Sequence, residues 1–255
     1  MESEQRRPLV ALHGESLGHG RGRQSQVVLN DLTLALHEGE RIALLGPSGA
    51  GKSTLLATLR ERLSEQAVWC PQHHGLVPQL AVYHNVYMGR LAERSALANL
   101  WNLVRPLQAP WGEIAELAGE LGLAGLLRRP VGELSGGQRQ RVAIARALYQ
   151  SRDIFLGDEP VASIDPHQAL RLLAVIDERH TTAVIALHQR ELALSHFDRV
   201  WGLRDGRLAI DAPARELTLA DLDALYPDAG SPSPSDSDTP VPFDLTTLPC
   251  GRGRA

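Results

Sequence analysis

Cysteine is nearly absent. Cys70 and Cys250 are the only two in 255 residues, too few for a disulfide framework or for a zinc site built on paired cysteines. Their scarcity fits a reducing compartment. Aromatic residues are sparse as well, at 4%. No stretch approaches the roughly 18 consecutive apolar residues of a membrane span, so work at a membrane would need another chain to do the spanning. Met1 to Arg7 is polar and lacks the apolar run of a signal peptide. The net charge is −4 and no basic tract is present, which argues against nucleic acid as a partner. No internal repeat is visible. What the chain does have is 43% apolar content, enough to bury a core in one large α/β domain or two small ones.

The most informative stretch is Gly46-Pro47-Ser48-Gly49-Ala50-Gly51-Lys52-Ser53. An apolar run, Ile42 to Leu45, precedes it and reads as a buried parallel strand. Thr54 to Leu59 follows and reads as the start of a helix. Strand, glycine loop, Lys-Ser and helix are the setting in which a phosphate-binding loop works. The glycines let the main chain turn tightly and aim its N–H groups at phosphate oxygens. The helix adds its positive N-terminal end. Lys52 has the reach for β- and γ-phosphates, and the Ser53 hydroxyl can ligate Mg²⁺.

Around this loop the chain reads as alternating elements. Residues 9–17 and 27–36 are expected strands, separated by a Gly- and Arg-rich loop from Gly18 to Arg23. A helix after Lys52 ends near Leu63, and Ala67 to Cys70 is a short strand followed by Pro71-Gln72. Residues 79–127 are mostly helical, with breaks expected at Pro106 and Pro110. Trp101 and Trp111 in this segment read as core or interface residues. A helix begins at Ser135, Asp153 to Pro160 is an apolar strand ending in two acids, and His167 to Arg179 is helical. Thr181 to Leu187 is a strand, and Val200 to Ile210 is a hairpin turning at Asp205-Gly206. From Asp228 the chain is rich in Ser, Pro and Asp and reads as disordered.

Three further features narrow the chemistry. An apolar strand ends in Asp158-Glu159. An Asp there can hold Mg²⁺ beside the loop, and a Glu can orient or deprotonate an attacking water. Leu134-Ser135-Gly136-Gly137-Gln138 opens a helix with glycines and a capping serine, a second anion site of the same physical kind. One way to use both helix ends is a head-to-tail dimer, with each nucleotide held by the P-loop of one protomer and the Ser-Gly-Gly of its partner. His188 stands at the end of a later strand, where α/β sites gather, in reach of a γ-phosphate.

Together these residues resemble the ATPase subunit of ABC transporters, over roughly residues 9–226. Gly46–Ser53 is similar to the family's Walker A motif, Leu134–Gln138 to its signature, and Ile154–Glu159 to Walker B with its glutamate. Gln72 matches the Q-loop, Ser163-Ile164-Asp165 the D-loop, and His188 the switch histidine. The resemblance implies a P-loop α/β fold: a mainly parallel core sheet, a helical subdomain and a reduced antiparallel β subdomain. It implies an ATPase domain over 1–227, with the helical part at about 79–140, and composition marks 228–255 as a disordered C-terminal tail. Glu159, His188 and Gln72 would be catalytic, with Glu159 as the base or water-positioning residue. Ser53, Gln72 and Asp158 would serve Mg²⁺. Residues 46–53 with Thr54 would bind ATP, and Ser135, Gly136, Gly137 and Gln138 would act on the partner's nucleotide.

The stretches Val77 to Leu91, Val142 to Ala147 and Asp158 to Asp165 look most like ATPases of phosphonate-type importers. The partners implied are permease subunits, a second copy of the ATPase and, indirectly, a solute-binding protein. The implied location is peripheral, on the cytoplasmic face of the membrane. Tyr83, Tyr87 and Met88 are expected on the permease-facing surface. An exporter ATPase and a soluble ABC ATPase without a permease are the alternatives. Two departures stand out. The loop from Gly18 to Arg23 has no Phe, Tyr or Trp to stack on adenine, so His19 or an arginine would have to do so. Gln72 follows Lys52 by only 20 positions, so the antiparallel subdomain looks trimmed.

Overall fold

The computed structural model describes residues 8–19, 26–162 and 164–226. The loop residues Gly20 to Arg23, Ser163, Cys250 and the low-complexity segment from Asp228 lie outside the described residues.

Two long strands, β1 (Pro8–His19) and β2 (Gln26–His37), pair antiparallel in a sheet of their own. The main sheet is built from β3 (Arg41–Leu45), β4 (Ala67–Cys70), β5 (Ile154–Asp158), β6 (Thr182–Ala186), β7 (Arg199–Arg204) and β8 (Arg207–Pro213). Their spatial order is β4-β5-β6-β3-β7-β8, parallel except for the last pair. The inner strands are continuous apolar runs because both faces are covered. Alternate residues serve opposite layers. Ala43, Phe155, Ala183, Ile185 and Val200 face the core shared with the helical segment. Ile42, Leu44, Leu156, Val184 and Trp201 face the core under β1 and β2.

The helix α1 (Lys52–Leu63) runs through one short 3₁₀ turn directly into β4. This is the short connection expected from the spacing of Lys52 and Gln72. The segment between β4 and β5 holds α2 (Val82–Tyr87), α3 (Ala96–Val104), α4 (Gln108–Glu120) and α5 (Gly136–Leu148). Pro110 does not break a helix. It lies in the first turn of α4, where its missing N–H has no intrahelical partner to lose.

Tyr83 and Tyr87 are not on a surface. Both are buried, and their hydroxyls donate to Asn102 Oδ1 at 2.7 Å and to Asn99 Oδ1 at 2.9 Å. They tie α2 to α3, and their amphipathic rings take a core position once a buried amide accepts the hydroxyl. What α3 leaves exposed is Leu97, Leu100, Trp101, Leu103 and Val104. After β5 come α6 (Pro166–Asp177), α7 (Arg190–His196) and α8 (Leu219–Asp223). The two short ones are too brief to show a helical period in sequence.

Candidate functional site

Four strands of the main sheet deliver polar groups to one edge. β3 ends in the glycine loop, β4 at Pro71-Gln72, β5 at Asp158-Glu159 and β6 just before His188. The register makes this a single site: Cys70 pairs with Gly157, Asp158 with Ala186, and Ala186 with Leu44. Carboxyl ends of neighbouring parallel strands are where open α/β sheets bind ligands.

The loop from Gly46 to Gly51 crosses this edge. Gly51 has φ 103°, and a Cβ there would sit 2.5 Å from Leu29 Cδ2 of β2. Glycine is therefore required both for the left-handed turn and for the close approach of the β1–β2 sheet. Lys52 is buried, and its Nζ donates to the Gly46 carbonyl at 2.8 Å and the Pro47 carbonyl at 3.2 Å. Burial pushes its ammonium below the ordinary lysine range, while Glu159 and Asp158 pull it back up. A cleft of about 360 Å³ lies over the loop, lined by Val28, Ser48, Lys52, Ser53, Gln72 and Glu159 among others. Thr54 lines it too.

Asp158 is buried with little compensation. Desolvation pushes its carboxyl above the usual range, and a hydrogen bond with Ser53 works in the other direction. Its Oδ1 is buried and has no hydrogen-bond partner among the described residues. An orphaned carboxylate oxygen beside a serine hydroxyl is a hard-oxygen donor set suited to Mg²⁺.

Glu159 is held at both carboxylate oxygens. His188 Nε2 lies 2.6 Å from Oε1, and Gln72 Nε2 donates to Oε2 at 3.2 Å. Its main chain has φ 55°, a conformation that costs a non-glycine residue on the order of 1–3 kcal/mol and persists only where surroundings impose it. The peptide N–H of Glu159 donates to Ala186 O, and its carbonyl accepts from Ala162 N, both at 3.2 Å. A second cleft, of about 220 Å³, lies on its other side between Val161, Leu187 and His188.

The structure thus gathers the glycine loop with Lys52, Ser53, Thr54, Gln72, Asp158, Glu159 and His188. It does not bring Ser135, Gly136, Gly137 and Gln138 to that cleft. These open α5 on their own. Ser135 Oγ accepts from Gln138 N, and Gln138 Oε1 accepts from Ser135 N, a reciprocal cap. Among the described residues, a Cβ added at Gly136 or Gly137 would meet nothing within 4 Å, which leaves that helix end open. Asp165 caps α6 through Gln168 N at 3.0 Å.

Two residues of the site were not singled out in the sequence. Val28 supplies an aliphatic wall of the cleft beside the loop. Gln140 reaches from α5 to the main chain at Glu159 and Pro160. Its signal was a glutamine in register with the apolar stripe of α5, spaced from Ala143 and Ile144 as a core residue would be.

The family model described as ABC transporter matches residues 29–67 and 60–162. A phosphonates import ATP-binding protein of Pseudomonas putida is 40% identical over 247 residues, covering 85% of this chain and 89% of that protein. One from Cupriavidus metallidurans is 36% identical, covering 98% of this chain and 100% of that protein. Among solved structures, a dimeric bacterial ABC transporter cassette superposes with a TM-score of 0.67 at 24% identity, covering 80% of this chain and 98% of that one. A nucleotide-free cassette from an ABC transporter gives 0.65 at 20%, covering 81% and 91%.

Proposed function

The chain belongs to the ABC transporter family, as its ATP-hydrolysing subunit, and from that premise we propose that it powers import of phosphonate or a similar small anion through a separate membrane permease. The observation that carries the reading is the gathering of Lys52, Asp158, Glu159, Gln72 and His188 at one sheet edge. The names of the relatives supply the solute class. Among the described residues no helix is long and apolar enough to cross a membrane, and the proposed location, as a peripheral subunit on the cytoplasmic face, rests on the import role named for the relatives.

In this reading residues 1–227 form the ATPase domain, with a helical subdomain at about 79–140, and 228–255 is a separate tail. Nucleotide phosphates take the place that the Gly46 and Pro47 carbonyls now hold on Lys52. Ser53, Asp158 and Gln72 would hold Mg²⁺, which would supply charge neutralisation at the nucleotide phosphates. Glu159 turns from His188 and Gln72 to orient the attacking water. His188 contacts the γ-phosphate. Ser135, Gly136, Gly137 and Gln138 complete the site of a second copy. The permease docks on the exposed apolar face of α3, where Leu97 and Val104 are 81% and 82% exposed.

The test is purification of the tagged chain from its host membranes in a mild detergent. A multi-span permease in stoichiometric amount is expected. Hydrolysis by the reconstituted complex should rise when the binding protein of the same system is added with a phosphonate. Recovery of soluble partners only would overturn the transporter reading, and stimulation by a different solute class would overturn the phosphonate assignment.

A further inference from the structure

The amide of Gln140 is buried and both of its N–H bonds are spent on main chain. Nε2 donates to the Glu159 carbonyl at 3.1 Å and to the Pro160 carbonyl at 2.6 Å. Gln140 sits on α5, five positions after the Ser135 cap. The same helix therefore presents the open Ser-Gly-Gly end to the outside and grips the main chain of the β5 exit on the inside. No side-chain partner of Gln140 is involved, so its grip acts on backbone position alone.

That grip falls where the backbone is least at ease. Glu159 has φ 55°, and a non-glycine residue stays in this region only if several contacts over-determine it. Three do so here: Ala186 O on its N–H, and Ala162 N and Gln140 Nε2 on its carbonyl. The first two are local to the sheet edge and its turn. Gln140 is the one that arrives from the helical segment. Without it, the Pro160 carbonyl would lose this donor, and the turn would be free to relax toward ordinary φ values, swinging the Glu159 carboxylate.

We propose that Gln140 is a positioning residue for ATP hydrolysis: its side-chain amide fixes the Glu159 main chain in the left-handed conformation that aims the carboxylate into the nucleotide cleft, and ties that conformation to the helix that meets the second nucleotide. The proposal rests on the reading of Glu159 as the residue that handles the attacking water.

The experiment uses the intact chain with Gln140→Met and Gln140→Glu, which keep the length of the side chain and remove its N–H donors. Steady-state hydrolysis is expressed per ATP-binding site, titrated with labelled nucleotide, so that misfolded molecules are not counted. Both variants are expected to lower kcat by about 10- to 100-fold, the loss that a small misplacement of a reacting group brings. KM and the affinity for ATP should stay within about threefold, because the phosphate loop is untouched. A purely packing role would lower the number of binding sites and leave kcat per site alone, and that result would overturn the proposal. So would a KM that rises in step with the loss of rate. Glu159→Gln is measured in parallel. If that variant keeps the wild-type rate, the reading of Glu159 fails. If it is inactive while Gln140→Met is not, only the positioning role fails. In the double variant no loss beyond that of Glu159→Gln is expected, since Gln140 acts through Glu159.

Discussion

Asp158 concentrates the tension of the site in one residue. It is a carboxylate at a buried strand end with one oxygen unpartnered among the described residues, which is costly in the ligand-free protein. Asp158→Asn should therefore stabilise the ligand-free chain while ending Mg²⁺-dependent turnover. The expected rise in Tm is about 2–4 °C, the shift that about 1 kcal/mol produces in a chain of this size. The expected fall in hydrolysis is at least about 100-fold, given the several kcal/mol that a metal contributes to such reactions. Calorimetry without ligand and phosphate release with MgATP check the two halves, and an unchanged or lowered Tm would show that Asp158 carries no such cost. The polar residues delivered to the cleft were legible in the sequence because each closes an apolar run or opens a helix. Gln140 was not, because its partners are carbonyls 19 and 20 positions away, and carbonyls leave no trace in side-chain identity.

Among the elements, the strands were the most legible, and the faces of the helices between β4 and β5 the least. The inner strands are short apolar runs that admit one reading when a glycine loop follows. The helix α2 spans only six residues, and α3 carries apolar side chains around much of its circumference. Their inward faces are chosen by tertiary partners, as when Asn102 accepts from Tyr83 and from Leu107 N together.

That pairing has a measurable signature. Burial pushes the Tyr83 phenol up to about 12 from 10.0, with the Asn102 hydrogen bond acting against the shift. The folded pKa is raised, so stability is whole below about 10 and falls as pH climbs toward 12, where the unfolded phenol ionises and the folded one does not. Tyr83→Phe should cost about 1 kcal/mol at neutral pH and flatten this alkaline decline in denaturant titrations. A decline of unchanged slope would mean that another group governs it. On the opposite face of α3, Leu97→Glu with Leu100→Glu should leave hydrolysis by the free chain within about twofold, as surface changes do. Co-purification of the permease should be lost, and its persistence would remove α3 as the docking face.

Across the molecule, the chain has two glycine-bearing helix starts that it does not unite in one cleft. α1 opens at the glycine loop inside the cleft, and α5 opens at Ser135 to Gln138 with free space over Gly136 and Gly137. A head-to-tail pair of chains would unite them twice, since a two-fold operation returns the same contact with the roles exchanged. Complementation separates this arrangement from one in which each chain works alone. Lys52→Ala spoils the loop and spares the signature helix. Gly137→Asp does the reverse, placing a carboxylate where an anion should bind. Each variant alone should be inactive. Mixed in equal amounts, they should regain roughly a quarter of the wild-type rate, because half of randomly formed pairs are mixed and each mixed pair has one of its two sites intact. In that site the loop comes from the Gly137→Asp chain and the signature from the Lys52→Ala chain. If every site were built within one chain, the mixture would hold no intact site and would stay inactive, so phosphate release from the mixture decides whether the open end of α5 serves its own cleft or that of its neighbour.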